Sequence, residues 1–325
     1  MKKCLLVTSE VPDVMVGGLG EFIRILYSQL KVVGYPVKLV YLNINNTTAS
    51  RFADYNVRVG ERLPVDSLDG SKFLSVAWGL RHEMDNILKE EQPDVISTHD
   101  AVSMLPFYYE REKVQFTLHS SHIGFQHERL RDKNGLLNFE GQKVALQSAS
   151  SVVFHSQWAA QTASKEVTEH ISGRKFIFPV GINSAEYPTE KAERDKIVIS
   201  FFGRHFDFSK NFPALYSAGM SLSEDEKKRV KFRLYGAPYD IVEPQIRSEG
   251  LFRLMGFVSG EEKRQAFAET DIVVMPSLFE NFGLVGLEGS SLVVVAEGMI
   301  LVYLIARGHR HGRKVLFSIC PLRGR

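Results

Sequence analysis

Cysteine is scarce in this sequence, and neither sign of charge is in excess. Cys4 and Cys320 are the two cysteines among 325 residues, too few and too far apart for a disulfide scaffold or a cysteine-rich metal cluster. A reducing, cytoplasmic compartment is therefore expected. Lys and Arg number 40 against 38 Asp and Glu, so the basic excess typical of nucleic-acid binding is absent. We expect no nucleic-acid partner.

Long hydrophobic runs are also lacking. At the amino terminus only residues 4–7 run apolar before polar residues return, which indicates a first strand rather than a signal peptide. The run 292–306 contains Glu297 and is shorter than the roughly 20 apolar residues that a membrane span needs. The length of 325 residues favours two domains of ordinary size.

What the sequence does contain is short apolar runs that alternate with amphipathic stretches. The first half has runs at 3–9, 37–42, 94–98, 114–118, 151–155 and 175–180, with helical patterns at 20–33, 79–91 and 138–149. After a charged segment at 183–196 the pattern restarts with "IVISFFG", "VKFRLYG", "LFRLMGF" and "DIVVMP". Such alternation is typical of parallel α/β sheets covered on both faces. It predicts two doubly wound, Rossmann-like domains, 1–183 and 196–296, facing a cleft that holds a ligand at the carboxyl ends of the strands.

A glycine-rich stretch, "MVGGLGEF" at 15–22, is the first of four motifs at strand ends. Gly17, Gly18 and Gly20 precede a predicted helix, where glycine permits close approach of the backbone and the free N–H groups favour a phosphate. The spacing matches neither a Walker loop nor the dinucleotide fingerprint. Alone, such a glycine-rich stretch is more often just a turn.

Two cations stand in the second motif, "GRHFDFSKN". Arg204 closely follows a predicted strand and Lys210 comes six positions later. Arg as a fork and Lys as a point charge could clamp a diphosphate from the two sides of this loop. Either residue alone would be a solvated surface cation.

Histidines mark the third motif, formed by "THD" at 98–100 and "TLHSSH" at 117–122. His119 ends a predicted strand, from which it could position a reacting group, although a lone histidine is more often structural. His122 and His127 raise the idea of a metal site. No carboxylate or cysteine completes a known ligand spacing, so we expect no metal.

The fourth motif is "PSLFENFGLVGLEG" at 276–289, with Glu280 and Glu288 eight positions apart. Glu280 in the predicted loop could accept hydrogen bonds from sugar hydroxyls, and Glu288 in the following helix could reach a ribose. The backbone N–H groups around Phe282, Gly283 and Leu284 would favour negative charge. Singly, each glutamate would be solvated, but jointly they predict a nucleotide-sugar pocket.

Together these motifs resemble glycosyltransferase family 4. The pair Glu280 and Glu288 reads as the E-x7-E motif of retaining glycosyltransferases, "GR" with Lys210 resembles the family's diphosphate clamp, and "GGLGEF" resembles its first glycine loop. The resemblance runs from residue 1 to about 288. It implies the GT-B fold and transfer of a sugar, with retained anomeric configuration, from a nucleotide-diphosphate sugar.

The resemblance also implies a role for each residue of the motifs. The donor phosphates would meet the three glycines and the two cations, the transferred sugar would meet Glu280, and the ribose would meet Glu288. His119 would approach the reacting sugar from the first domain. The reaction would need no metal or other cofactor. The acceptor stays open among polysaccharides, glycolipids and glycosylated natural products.

Two departures from the family pattern leave alternatives open. Val180 stands where the family usually has Asn, and after Glu288 the sequence stops following the pattern, so the second domain is expected to be incomplete with an atypical basic tail at 297–325. A defective, non-catalytic remnant is therefore the alternative, and a GT-B epimerase or a glycogen or starch synthase is a weaker one. The basic tail could make peripheral contact with anionic lipid.

Overall fold

The chain divides into two compact units, the first Met1–Val180 and the second beginning at Gly181. This division lies close to the predicted end of the first domain at 183. The computed structural model describes residues 1–14, 18–43, 48–58, 70–107, 111–119, 133–166, 171, 173–182, 195–203, 210–236, 250–277, 280 and 282–291. The domain limits drawn at 196 and 296 stay a prediction.

A seven-stranded parallel sheet forms the centre of the first unit, in the order β3-β2-β1-β4-β5-β6-β7. The strands are β1 (Cys4–Thr8), β2 (Val37–Asn43), β3 (Tyr55–Arg58), β4 (Val95–Thr98), β5 (Val114–Leu118), β6 (Ser151–Phe154) and β7 (Arg174–Ile177). The helices are α1 (Gly18–Val32), α2 (Gly70–Glu91), α3 (Ala101–Met104), α4 (Lys133–Ser148) and α5 (Gln157–Glu166), and 3-10 turns lie at Pro12–Val14, Leu105–Phe107 and Arg111–Lys113.

Six of these seven strands are predicted by the apolar runs, and β3 is not. Among the residues of β3 only Val57 is buried, because the strand lies at the edge of the sheet. Its sequence therefore carries little hydrophobic signal. The helix predicted at 79–91 begins earlier, at Gly70.

Hydrophobic burial holds β1, which lies next to the central strand of this sheet. All five residues of β1 are buried, as expected for a parallel strand covered on both faces. Leu80, Met84 and Ile87 of α2 recur at the spacing of one helical face and join Leu5 and Val7 in a single core cluster.

A half-buried carboxylate ties the ends of β1 and β4 together. The Asp100 carboxylate accepts hydrogen bonds from the backbone N–H of Ser9 at 2.9 Å and of Ser103 at 2.8 Å. It thereby caps α3 and satisfies N–H groups that would otherwise lack partners. Burial is the main influence on this group and raises the pKa of the Asp100 carboxyl. The adjacent His99 is held at the carboxyl edge of the sheet as a result.

At the far edge of the sheet, β7 and the residue after it are unusually exposed. Phe176, Ile177 and Phe178 keep 46%, 45% and 60% of their surface accessible. Backbone pairing holds the segment, since the Phe178 N–H donates to the Phe154 carbonyl at 2.8 Å. The position of Phe178 therefore depends on its main chain more than on its side chain.

The second unit has a smaller parallel sheet in the order β10-β9-β8-β11. Its strands are β8 (Ile197–Phe202), β9 (Val230–Tyr235), β10 (Phe252–Gly256) and β11 (Ile272–Val273). Its helices are α6 (Phe212–Met220), α7 (Glu224–Arg229), α8 (Gly260–Ala268) and α9 (Leu284–Ser291). All four predicted strands are present, although β11 is much shorter than the run "DIVVMP".

A clamp at Asp271 compensates for the shortness of β11. The Val198 N–H donates to the Asp271 carboxylate at 2.7 Å, and the Asp271 N–H donates to the Val198 carbonyl at 2.8 Å. On the same strand, Gly289 of α9 packs so closely that an added Cβ would lie 3.0 Å from the Val273 side chain. The short strand thus holds the helix that carries Glu288.

Close packing against α6 gives a stability prediction. A Cβ added at Gly219 would lie 2.5 Å from the Phe252 ring, so Gly219→Ala should lower the free energy of unfolding by about 1 to 3 kcal/mol through overpacking. Gly79→Ala is the matched control, because nothing lies within 4 Å of its added Cβ. In helix α2 this control should raise stability by about 0.5 to 1 kcal/mol. Urea unfolding of both variants measures the two effects, and equal shifts would contradict the packing argument.

Candidate active site

An ion pair joins two of the predicted site residues of the second unit. The Lys210 ammonium donates to Oε1 of Glu280 at 2.5 Å, and the Ser277 hydroxyl donates to the same oxygen at 2.8 Å. Both charged side chains keep about a quarter of their surface exposed, 25% for Lys210 and 27% for Glu280. A cation and an acceptor of hydroxyl groups are therefore adjacent and accessible.

Backbone geometry around Asn211 brings these two loops together. Asn211 takes a left-handed conformation with φ of 50°, which asparagine tolerates better than most residues. Its side-chain amide donates to the Pro276 carbonyl at 3.1 Å. The loop that follows β8 is thus fastened to the loop that follows β11, with Lys210 beside Glu280.

The Phe-Gly pair after Glu280 forms the turn into helix α9. Gly283 has φ of 78°, a value at which a side chain would be strained, and an added Cβ would also lie 3.2 Å from Met275. Its carbonyl accepts from the N–H groups of Gly286 and Leu287 in the first helical turn. The helix begins at Leu284, so Glu288 lies one turn inside it.

Glu288 is buried and paired with a residue that the motifs do not indicate. It is 1% exposed, and Lys263 of α8 donates to its Oε1 at 2.6 Å. A buried carboxylate of this kind requires a partner, but nothing in the sequence alone indicates that this partner is Lys263. The expectation that each glutamate alone would be solvated is therefore wrong for Glu288.

Three histidines cluster in the first unit, each directly after one of three neighbouring strands. His99, His119 and His155 follow β4, β5 and β6. Nδ1 of His99 lies 3.0 Å from Nε2 of His119, and Nδ1 of His119 lies 3.1 Å from Nε2 of His155. At the two ends of this row of rings, the Ser97 hydroxyl lies 3.1 Å from Nε2 of His99, and the Phe178 carbonyl oxygen lies 2.9 Å from Nδ1 of His155.

Phe22 of α1 covers this cluster, with its ring centroid 4.5 Å from His119, 5.1 Å from His155 and 5.7 Å from His99. Burial disfavours the charged form of each imidazole. It lowers the pKa of His99 to about 3, lowers the pKa of His119 well below its usual value and also lowers the pKa of His155. Repulsion between the rings adds to the shifts of His99 and His119. The cluster is therefore uncharged near neutral pH.

Sequence reasoning identified His119 and the motif "THD" that contains His99, but it missed His155. The available signal was positional, since in three successive strands the first residue after the strand is histidine. Of the glycine motif, Gly18 is the first residue of α1 and Gly20 is buried in its first turn. Other predicted features lie outside the described residues: Gly17, Arg204, His122, His127 and the tail 297–325.

Two further searches cover only the part of the chain that the structure describes. No group of three or more His, Cys, Asp or Glu side chains there could hold a metal ion. The histidines agree with this result, because their nitrogens form a line instead of converging on one point. No described helix is long and apolar enough to cross a membrane.

Comparisons with known proteins extend the resemblance. Residues 16–172 match the family described as Glycosyltransferase Family 4, and residues 196–305 match that described as Glycosyl transferases group 1. The second match continues beyond Glu288, past the point where the recognisable motifs end. An uncharacterised glycosyltransferase of Methanocaldococcus jannaschii is 25% identical over 92% of this chain and 82% of its own length.

Solved structures show the same fold. Sucrose-phosphate synthase from Thermosynechococcus elongatus superimposes with a TM-score of 0.70 at 17% identity, covering 90% of this chain and 79% of that one. A TarM mutant from S. aureus, in complex with fondaparinux, alpha-GlcNAc-glycerol and UDP, gives 0.65 at 10% identity, covering 90% and 84%. The predicted GT-B fold, with two Rossmann-like sheets, is confirmed. The first part of the chain thus carries a glycosyltransferase family 4 domain and the second part a domain of glycosyl transferases group 1, so the chain is a glycosyltransferase.

Proposed function

We propose that this glycosyltransferase holds a nucleotide-diphosphate sugar on its second unit and transfers the sugar with retention of anomeric configuration. The observation that carries the proposal is the exposed pair of Lys210 and Glu280. The loop with Glu280 leads into the helix with Glu288, which is buried and paired with Lys263. One pair offers a cation and a hydroxyl acceptor, and the other offers a fixed carboxylate. Diphosphate, sugar and ribose need these groups.

Lys210, with Arg204, serves the diphosphate in this proposal. Negative charge develops on the diphosphate as the bond to the sugar breaks, and fixed cations stabilise it most at that stage. The ion pair with Glu280 keeps Lys210 oriented before the donor arrives. These cations take the place of a metal ion, and no other cofactor is part of the proposal.

The two glutamates bind two further parts of the donor. Glu280, with Ser277 beside it, accepts hydrogen bonds from hydroxyls of the transferred sugar. Glu288 accepts them from the ribose, and the ion pair with Lys263 keeps it oriented for that purpose. The N–H groups around Phe282, Gly283 and Leu284 favour the remaining negative charge of the donor.

The first unit supplies the acceptor side. Gly18 and Gly20 in the first turn of α1, and Gly17 of the same motif, are proposed to approach the donor phosphates, and His119 the reacting sugar. We place the enzyme in the cytoplasm, with an acceptor from polysaccharide, glycolipid or natural-product biosynthesis. Turnover of a nucleotide sugar by the full chain would exclude the alternative of a non-catalytic remnant.

Replacing Lys210 tests the diphosphate assignment. Lys210→Met should weaken the binding of the preferred nucleoside diphosphate by about 1.5 to 3 kcal/mol, because one charge-assisted contact is lost. Arg204→Met should act in the same direction. Calorimetric titration with UDP, GDP and ADP gives the affinities. Lys228→Met is the control, since Lys228 is 74% exposed and pairs with an exposed Asp225; unchanged affinity in both clamp variants would refute the clamp.

Replacing each glutamate in turn tests whether Glu280 binds the transferred sugar and Glu288 binds the ribose. Glu280→Gln should reduce turnover while the affinity for the free nucleoside diphosphate changes less than about twofold, because the free nucleotide carries no sugar to bind. Glu288→Gln should weaken the binding of the free nucleoside diphosphate itself, by about tenfold if one charged hydrogen bond is lost. Equal effects of the two variants on nucleotide affinity would contradict the division.

A double-mutant cycle tests whether Lys263 acts through Glu288. Lys263→Met leaves a buried carboxylate without this cation, so nucleotide affinity and protein stability should both fall, the latter by about 3 to 5 kcal/mol. In the Glu288→Gln background the same change should cost far less, because no charge is left to compensate. Lys227→Met on the surface helix α7 is the control. Additive effects would show that the two residues act independently.

A further inference from the structure

The histidine cluster of the first unit forms a single hydrogen-bonded line. It runs from the Ser97 hydroxyl through His99, His119 and His155 to the Phe178 carbonyl. Each contact lies between 2.9 and 3.1 Å, within the range of a normal hydrogen bond. Both ring nitrogens of every histidine take part, so the protons of the three rings depend on one another.

The carbonyl at one end fixes the order of those protons. A carbonyl accepts and cannot donate, so Nδ1 of His155 must carry a proton toward Phe178. A neutral imidazole has one N–H, which leaves Nε2 of His155 to accept from Nδ1 of His119. By the same step His99 donates from Nδ1 to His119, and the Ser97 hydroxyl donates to His99. All three rings are therefore Nδ1–H tautomers.

The neutral state that this order requires agrees with the surroundings of the rings. His99 and His155 are 2% and 3% exposed, and the Phe22 ring packs against all three imidazoles. Two charged imidazoles in contact would also bring two N–H groups face to face. Burial is the main influence that disfavours a charge on His119, and a charge on His99 or His155 beside it would disfavour one further.

We infer that His99 and His155 are positioning residues that lock His119 as a neutral Nδ1–H imidazole, and that His119 serves the reaction without gaining or losing a proton. Both nitrogens of its ring are engaged within the line, so what remains for a sugar is its backbone and the carbon edge of the ring. The inference rests on the proposed role of His119. In this role His119 is a rigid part of the surface of the site and does not act as a general acid or base.

The first test reads the tautomers directly in the full chain. The protein has 10 histidines, and two-bond ¹H–¹⁵N NMR spectra of ¹⁵N-histidine-labelled protein distinguish the Nδ1–H, Nε2–H and charged forms. Single replacements assign the resonances. We expect three neutral Nδ1–H patterns near neutral pH, and those of His99 and His119 should not titrate between about pH 5 and about pH 8, where an ordinary histidine does. An Nε2–H pattern, or a titration midpoint of His119 in that range, would overturn the inference.

The second test removes and then restores the order of the ring protons by two replacements of His155. His155→Phe takes away the acceptor for His119, so the His119 spectrum should become a mixture of tautomers and kcat should fall about tenfold to a hundredfold, with the affinity for the nucleoside diphosphate unchanged. His155→Gln should restore much of both, because its amide N–H can donate to the Phe178 carbonyl while its oxygen accepts from His119. His82→Phe on the exposed face of α2 is the control and should change neither readout.

The two tests fail in distinguishable ways. If the enzyme turned over no nucleotide sugar and bound no nucleotide, the proposed function would fail while the spectra still decided the tautomers. If His155→Phe did not fold, the wild-type spectra and the Gln variant would remain. Equal loss of kcat in the Phe and Gln variants, with the His119 tautomer unchanged in both, would contradict the positioning role.

Discussion

Parallel pairing of neighbouring strands is the constraint on which the rest of this molecule depends. Every strand pair in the described residues is parallel, so the carboxyl ends of the strands meet at one edge of each sheet. Residues as distant in sequence as His99 and His155 become neighbours for this reason. Lys210 and Glu280 meet in the same way, at the ends of β8 and β11.

The two units keep polar groups in poorly solvated places by opposite means. In the second unit Glu288 keeps its charge and is paired with Lys263. In the first unit the histidines give up their charge, and hydrogen bonds satisfy every ring nitrogen. Both solutions avoid an uncompensated buried charge, whose desolvation would cost several kcal/mol. They suit different tasks, since a paired carboxylate accepts strongly while a neutral ring stays in one orientation.

Much of the fold follows from the sequence, because buried parallel strands are nearly continuous apolar runs. The exception, β3, lies at a sheet edge where only Val57 is buried, so the physical cause of the signal is absent there. Glu280, Glu288 and Lys210 were found because spacing in a loop motif is visible in one dimension. Lys263 and His155 were missed because their partners come from other elements. Contacts between elements depend on register and packing, which local sequence does not encode.

The acceptor that orders the histidine line is a main-chain atom. Phe178 offers its carbonyl to His155 while its side chain stays 60% exposed, so the identity of that side chain has little influence on the bond. Sequence drift at this position should leave the proton order intact. Displacement of the backbone there would not, and the segment lies two residues before the boundary at Val180. Mutation of the Phe178 side chain should therefore leave the tautomers of the buried rings unchanged, whereas a shift of the main chain near Val180 should alter them.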